Sequence, residues 1–163
     1  MLDTANVNDV LLAGAKEVFE TMIFIDLQQA TDPNLKLDGD CLLGSITFTG
    51  NIDGCLGICC TINCARIIAA NMLGMGPDAQ LSADEVKDAI GEVTNMVMGT
   101  IKSRMTGIVG NLLVSIPTVV TGRDIRSCLC ERNTQTITAN ATVEDNHLIE
   151  FSLLYTNKNS QLA

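Results

Sequence analysis

Asp88, Glu92, Asn95 and Gly99 recur at spacings of four, three and four residues within DAIGEVTNMVMG. On a helix, that spacing stacks all four along one face. Val86, Ala89, Ile90, Val93, Val97 and Ile101 gather on a second stripe roughly opposite, as a core-facing helix requires. A carboxylate and a carboxamide one turn apart point the same way. Asparagine is a poor base, but its carbonyl and amide can hold a water in line with an electrophile. Glu92 can accept from a cation on a partner. Gly99 leaves the next turn bare, so that another backbone can approach closely, whereas mid-helix glycine costs about 1 kcal/mol against alanine. By pattern alone two readings stand, a working face and the commoner solvated face.

Ser82-Ala83-Asp84-Glu85 is a capping box ahead of this run. Asp84 and Glu85 suit the positive end of the helix dipole, and Lys102 and Arg104 the other end. The helix is therefore expected over 83 to about 105. Around it, residues 8–25 read as a helix through Leu11, Ala15, Val18, Phe19 and Met22, with Glu17 and Glu20 on the other side. Residues 32–40 are a polar turn region. Residues 41–49 and 55–62 read as a hairpin across the glycine-bearing turn at 50–54, with β-branched and cysteine positions packed inward. Residues 64–73 form a short helix with Asn63 as N-cap, stopped by Gly74 and Gly76. Residues 111–121 read as a strand that Pro117 makes an edge, a bulge or a break. Residues 134–143 and 148–156 alternate with period two, joined at 144–147, and the tail beyond Thr156 is polar. Segregated helices and hairpins favour a two-layer α/β sandwich with a mainly antiparallel sheet.

The chain has 163 residues, 47% of them apolar, which suits one domain over 1–163. With four Phe, one Tyr and no Trp, the core must be mostly aliphatic. A net charge of -9 argues against nucleic acid and anionic membrane partners. No apolar run is long enough to span a membrane and the N-terminus lacks a signal-peptide pattern, so a cytoplasmic location is expected. There the sequon at Asn140 is idle. Seven cysteines, C-x3-C-C-x3-C at Cys55, Cys59, Cys60 and Cys64 plus Cys41 and the pair Cys128 and Cys130, lack C-x2-C spacing. They read as buried free thiols, with a cysteine-ligated metal as the lesser alternative. His147, the one histidine, falls in the expected turn at 144–147 and reads as exposed and inert, and no nucleotide-binding glycine motif is present.

The run D88-A-I-G-E92-V-T-N95-M-V-M-G99 resembles the active helix of the CheC/CheX/FliY chemotaxis phosphatases, the CheX branch most. Pro117 is the counterpart of that pattern's distant proline, at a gap from Asn95 one residue shorter. The resemblance implies a CheC-like sandwich with long helices on its sheet, and hydrolysis of the aspartyl phosphate of a phosphorylated CheY-like receiver domain. Asn95 would orient the water and Glu92 would pair with the partner's lysine, while Asp88, Gly99 and Pro117 support or face the partner. Mg2+ would belong to the receiver, with no cofactor or metal bound by this chain. A homodimer that extends its sheets across the boundary is implied, as is an internal duplication. In that duplication Glu17 echoes Glu92, Glu20 stands where Asn95 does, and Ala13 where Asp88 does, so one working site per chain is expected. The alternative from another class is a non-catalytic scaffold that docks a receiver or a flagellar motor component.

Overall fold

A computed structural model describes residues 3–129, 133–144 and 146–158. Two hairpins form the middle of its sheet. β2 (Cys41–Thr49) turns back into β3 (Ile52–Thr61), paired from Cys41↔Thr61 to Phe48↔Gly54. The Asp53 carboxylate closes this turn by accepting from the Thr49 hydroxyl and the Gly50 amide. β6 (Gln135–Val143) and β7 (His147–Asn157) form the second hairpin, and β7 lies against β3. β1 (Leu27–Gln29) pairs with the free edge of β6. β4 (Leu113–Val114) and β5 (Thr118–Gly122) share the free edge of β2. Every pairing among the described strands is antiparallel.

Strand alternation gives the sheet one helix-facing side. Leu42, Ile46, Leu56, Ile58, Phe151 and Leu153 are buried there. Above them pack α1 (Thr4–Val18), continued by a wider π-helical turn over Phe19–Ile23, α2 (Ile62–Met72) and α3 (Ala83–Val109). Phe19 meets Phe151 edge to face with centroids 6.1 Å apart, a pair worth about 1 kcal/mol beyond its area. The opposite side carries a small cluster of Cys41, Leu43 and Cys59 under Leu37 and Ile125.

The mixed α/β architecture with helices on a mainly antiparallel sheet is the expected one. The boundaries shift for local reasons. α1 starts at Thr4, because the Asp3 side chain caps it by accepting from the Ala5 amide. Its π-helical continuation ends where Phe24 turns left-handed at φ 61°. Met22, expected on the buried stripe, is exposed on that terminal turn. α2 is capped by Thr61 rather than Asn63, since the Thr61 hydroxyl accepts from the Cys64 amide at 3.3 Å. α3 runs a turn beyond 105 to Val109, whose carbonyl accepts from Asn51 Nδ2 at 2.9 Å. The expected strand over 111–121 is broken at Pro117 into β4 and β5, and β1 was not anticipated. His147 is half-buried as the first residue of β7 rather than exposed in the turn. Cys41, Cys55, Cys59, Cys60 and Cys64 are buried free thiols, but Cys128 is exposed. Cys130, Asp145 and the tail from 159 onward lie outside the described residues.

Candidate functional site

α3 is fixed at both ends and along its buried side. At its start, Ser82 Oγ accepts from the Glu85 amide at 3.1 Å, and Glu85 Oε2 accepts from the Ser82 amide at 2.7 Å. That exchange holds the Glu85 carboxyl below its usual range, the backbone bond from Ser82 being the main cause. Val86, Ala89, Ile90, Val93, Val97, and Ile101 are all buried, as their spacing requires. Thr94 is fully buried and donates its hydroxyl to the Ile90 carbonyl at 2.8 Å. It sits directly over Gly44 of β2, where any side chain would collide with it.

The other face of the same helix is free. Asp88, Glu92, Asn95 and Gly99 are all exposed. The side chains of the first three make no hydrogen bond or ion pair with any described residue. Nothing lies within 4 Å of the position a Cβ would take at Gly99.

Two grooves flank this stripe. One lies between α3 and the start of β5, with Asp88, Gly91 and Glu92 on the helix side and Pro117 and Val119 on the strand side. A Cβ at Gly91 would be 3.9 Å from Pro117 Cγ and 3.6 Å from Val119 Cγ2. Pro117, remote in sequence, therefore stands beside Asp88 and Glu92. Its position follows from chemistry: without an N–H it cannot join the ladder, so the edge strand starts again just after it. Asp84, Asp88 and Glu92 outnumber Lys87 along this groove. The surplus negative charge disfavours free phosphate and favours a partner's ammonium group.

The second groove lies between α1 and α3 and is lined by Val18, Met22, Met96, Gly99 and Thr100. At its end Arg104 holds Glu17 at 2.7 Å. Glu17 is thus engaged by a neighbouring helix, whereas Glu92 is free. Asn95 lines neither groove and stands on the crest between them. Glu20 is exposed on the terminal turn that follows α1.

Gly91, Val119 and Met96 were not singled out from the sequence. A glycine inside a helix was the available signal for Gly91; nothing local marks Val119, which reaches the groove through strand pairing. Among the described residues, no group of three or more His, Cys, Asp or Glu is arranged to hold a metal. No helix is long and apolar enough to cross a membrane.

Comparison with known proteins shows the family of the chain and relatives of its fold. The family described as chemotaxis phosphatase CheX matches residues 42–140, more than half of the chain. Among solved structures, the chemotaxis protein CheX from Vibrio vulnificus is 24% identical, with a TM-score of 0.75, covering 96% of this chain and 100% of its own. CheX from Desulfovibrio desulfuricans is 22% identical, with a TM-score of 0.71, over 93% of this chain and 98% of its own. A chain of the CheX–CheY–BeF3–Mg2+ complex from Borrelia burgdorferi is 16% identical, with a TM-score of 0.69, over 90% of this chain and 96% of its own. No curated protein sequence matches.

Proposed function

The chain belongs to the family of chemotaxis phosphatase CheX, and from that premise we propose that it hydrolyses the aspartyl phosphate of a phosphorylated CheY-like receiver domain. The observation that carries this reading is the free, exposed pair Glu92 and Asn95 on a helix anchored at both ends and along its buried side. The Borrelia burgdorferi relative, found in a complex of CheX, CheY, BeF3 and Mg2+, supports a receiver as partner.

Hydrolysis of this bond asks little of the visiting protein. Water attacks phosphorus, the P–O bond to the receiver aspartate breaks, and its electron pair leaves as the carboxylate. The water's protons remain on the inorganic phosphate. Most of the charge stabilisation belongs to the receiver, which also holds the divalent cation, normally Mg2+. What is missing is an aligned nucleophile. Asn95 supplies it, accepting from the water through its carbonyl and fixing its orientation through its amide, without titrating. Glu92, one turn away in the acidic groove, pairs with the receiver's lysine and sets the docking. Asp88 reinforces that negative field, Pro117 forms the far wall of the groove, and Gly99 gives the receiver's backbone room to approach.

The entire chain, 1–163, acts as a single CheX-like domain in this reading, working in the cytoplasm. α1 is the silent half of a degenerate duplication. Its glutamate is spent on Arg104, and Glu20 occupies the asparagine position, where a second carboxylate would repel the phosphoryl group. A homodimer extends the sheet through the β4/β5 edge, where Leu113, Ile116 and Val120 are exposed at 67%, 84% and 45%.

The test is release of inorganic phosphate from a panel of phosphorylated receivers. Acceleration by the wild-type chain, lost in Asn95→Ala, is the expected result. Receiver binding with no acceleration by either protein would leave a docking scaffold instead.

A further inference from the structure

Five buried thiols play no part in this mechanism, and two of them face a cavity. Cys41 opens β2 and Cys59 lies near the end of β3, both on the sheet side away from the helices. They line one small cavity of about 220 Å3, walled by Leu37 and Ile125. Lys36, Arg126, Asp124 and Glu150 complete the wall with balanced charge. The two thiols lie close enough for each to act on the other, and burial is the first cause that raises both; Cys59 is pushed up to about 12. Cys60 and Cys64 also meet, but within the main core and lining no such cavity.

The strand register decides what this pair can do. Leu43 is opposite Cys59 and Cys41 is opposite Thr61, so the two cysteines are diagonal neighbours. Diagonal positions in an antiparallel pair sit about 7–8 Å apart, with the Cβ atoms somewhat closer. A disulfide needs Cβ atoms about 4 Å apart, so direct oxidation would require backbone movement. A metal ion between the sulfurs relaxes that demand, since two metal–sulfur bonds of about 2.3 Å span about 4.6 Å. Coordination number then selects the ion. Zinc requires four donors, and no group of three or more suitable side chains exists among the described residues. A soft ion content with two thiolates has what it needs.

We propose that Cys41 and Cys59 form a two-thiolate site for a soft monovalent ion of the cuprous type. The step is an exchange without change of oxidation state. Two S–H bonds break, two metal–sulfur bonds form, and two protons leave to solvent. The resulting bis-thiolate carries one negative charge in a wall where Lys36 and Arg126 are matched by Asp124 and Glu150.

The experiment uses the full reduced chain under anaerobic conditions, titrated with cuprous ion against a colorimetric cuprous chelator. The proposal expects one equivalent bound, an X-ray absorption spectrum with two sulfur neighbours, and loss of uptake in Cys41→Ser and in Cys59→Ser. Cys60→Ser and Cys128→Ser should retain it. Should the first two variants fail to fold, the rate of alkylation with and without cuprous ion decides: both thiols are buried and label slowly in the metal-free chain, and loading is expected to slow labelling further at Cys41 and Cys59 alone. Undiminished uptake in folded Cys41→Ser and Cys59→Ser, a shell of three or more sulfurs, or protection at other cysteines would overturn the assignment.

Discussion

Replacing Gly44 with alanine tests how closely α3 is seated on β2. The added Cβ would collide with Thr94 Oγ1 and stand 3.2 Å from Ile90 Cγ2 and 3.4 Å from Thr94 Cβ. Only the hydroxyl contact is prohibitive. One escape is for α3 to lift by about 1 Å, which forfeits a quarter to a half of the dispersion across that contact. The other is for Thr94 to rotate, which breaks its bond to the Ile90 carbonyl at a cost of about 1 kcal/mol. Overpacking of this kind costs about 1–3 kcal/mol, and the reduced backbone entropy of alanine returns about 0.5–1 kcal/mol. The difference is a net loss of up to about 2.5 kcal/mol. Thr94→Ala removes the offending oxygen, so the double variant should recover at least about 1 kcal/mol relative to the sum of the singles. Urea unfolding midpoints for the four proteins measure this. A stabilising Gly44→Ala, or strict additivity in the double variant, would refute the packing argument.

Gly99→Ala adds a methyl group in open space, so it should stabilise the chain by up to about 1 kcal/mol in thermal unfolding; under the proposed docking over this bare turn it should also weaken receiver binding. Improved stability with unaltered binding would remove Gly99 from the docking face. Ser82→Ala should cost about 1 kcal/mol through loss of the cap. Because the Glu85 carboxyl is held below its usual value of 4.5, its share of the box is present above that pH and fades as pH falls through the lowered value. The stability gap between wild type and Glu85→Gln should accordingly be visible at neutral pH and vanish in acid. Ile116→Lys, on the exposed β4/β5 edge, should shift the chain toward monomer in sedimentation without unfolding it; unchanged association would place the dimer contact elsewhere.

α3 was legible in sequence because its signals are local. A capping box, an apolar stripe and a polar stripe all follow from spacing along one helix, and each stands in the structure as its pattern requires. The partnership of Pro117 with Gly91 was not legible in this way. It depends on β5 pairing with β2 and on α3 packing over both, contacts that join segments far apart in the chain. Resemblance to a family pattern pointed to Pro117, and the fold sets it beside Asp88, Gly91 and Glu92. β1 escaped notice because three residues carry too little alternation to signal a strand. The Thr61 cap was obscured by a neighbouring asparagine that is equally good by residue type, and only backbone geometry distinguishes the two. The tie between Glu17 and Arg104 spans two helices and could not be read from either alone.

The central claim is that Asn95 acts on the water and Glu92 on the partner. Dephosphorylation of a receiver should be followed with the chain at substoichiometric amounts and the receiver concentration varied. The account predicts repeated turnover by the wild type. Asn95→Ala should lower the saturated rate by about 100-fold at nearly unchanged receiver affinity, the scale of a misplaced nucleophile. Glu92→Ala should instead raise the receiver concentration needed for half-maximal rate. An Asn95→Ala chain that keeps its saturated rate, or that loses only affinity, would contradict the account.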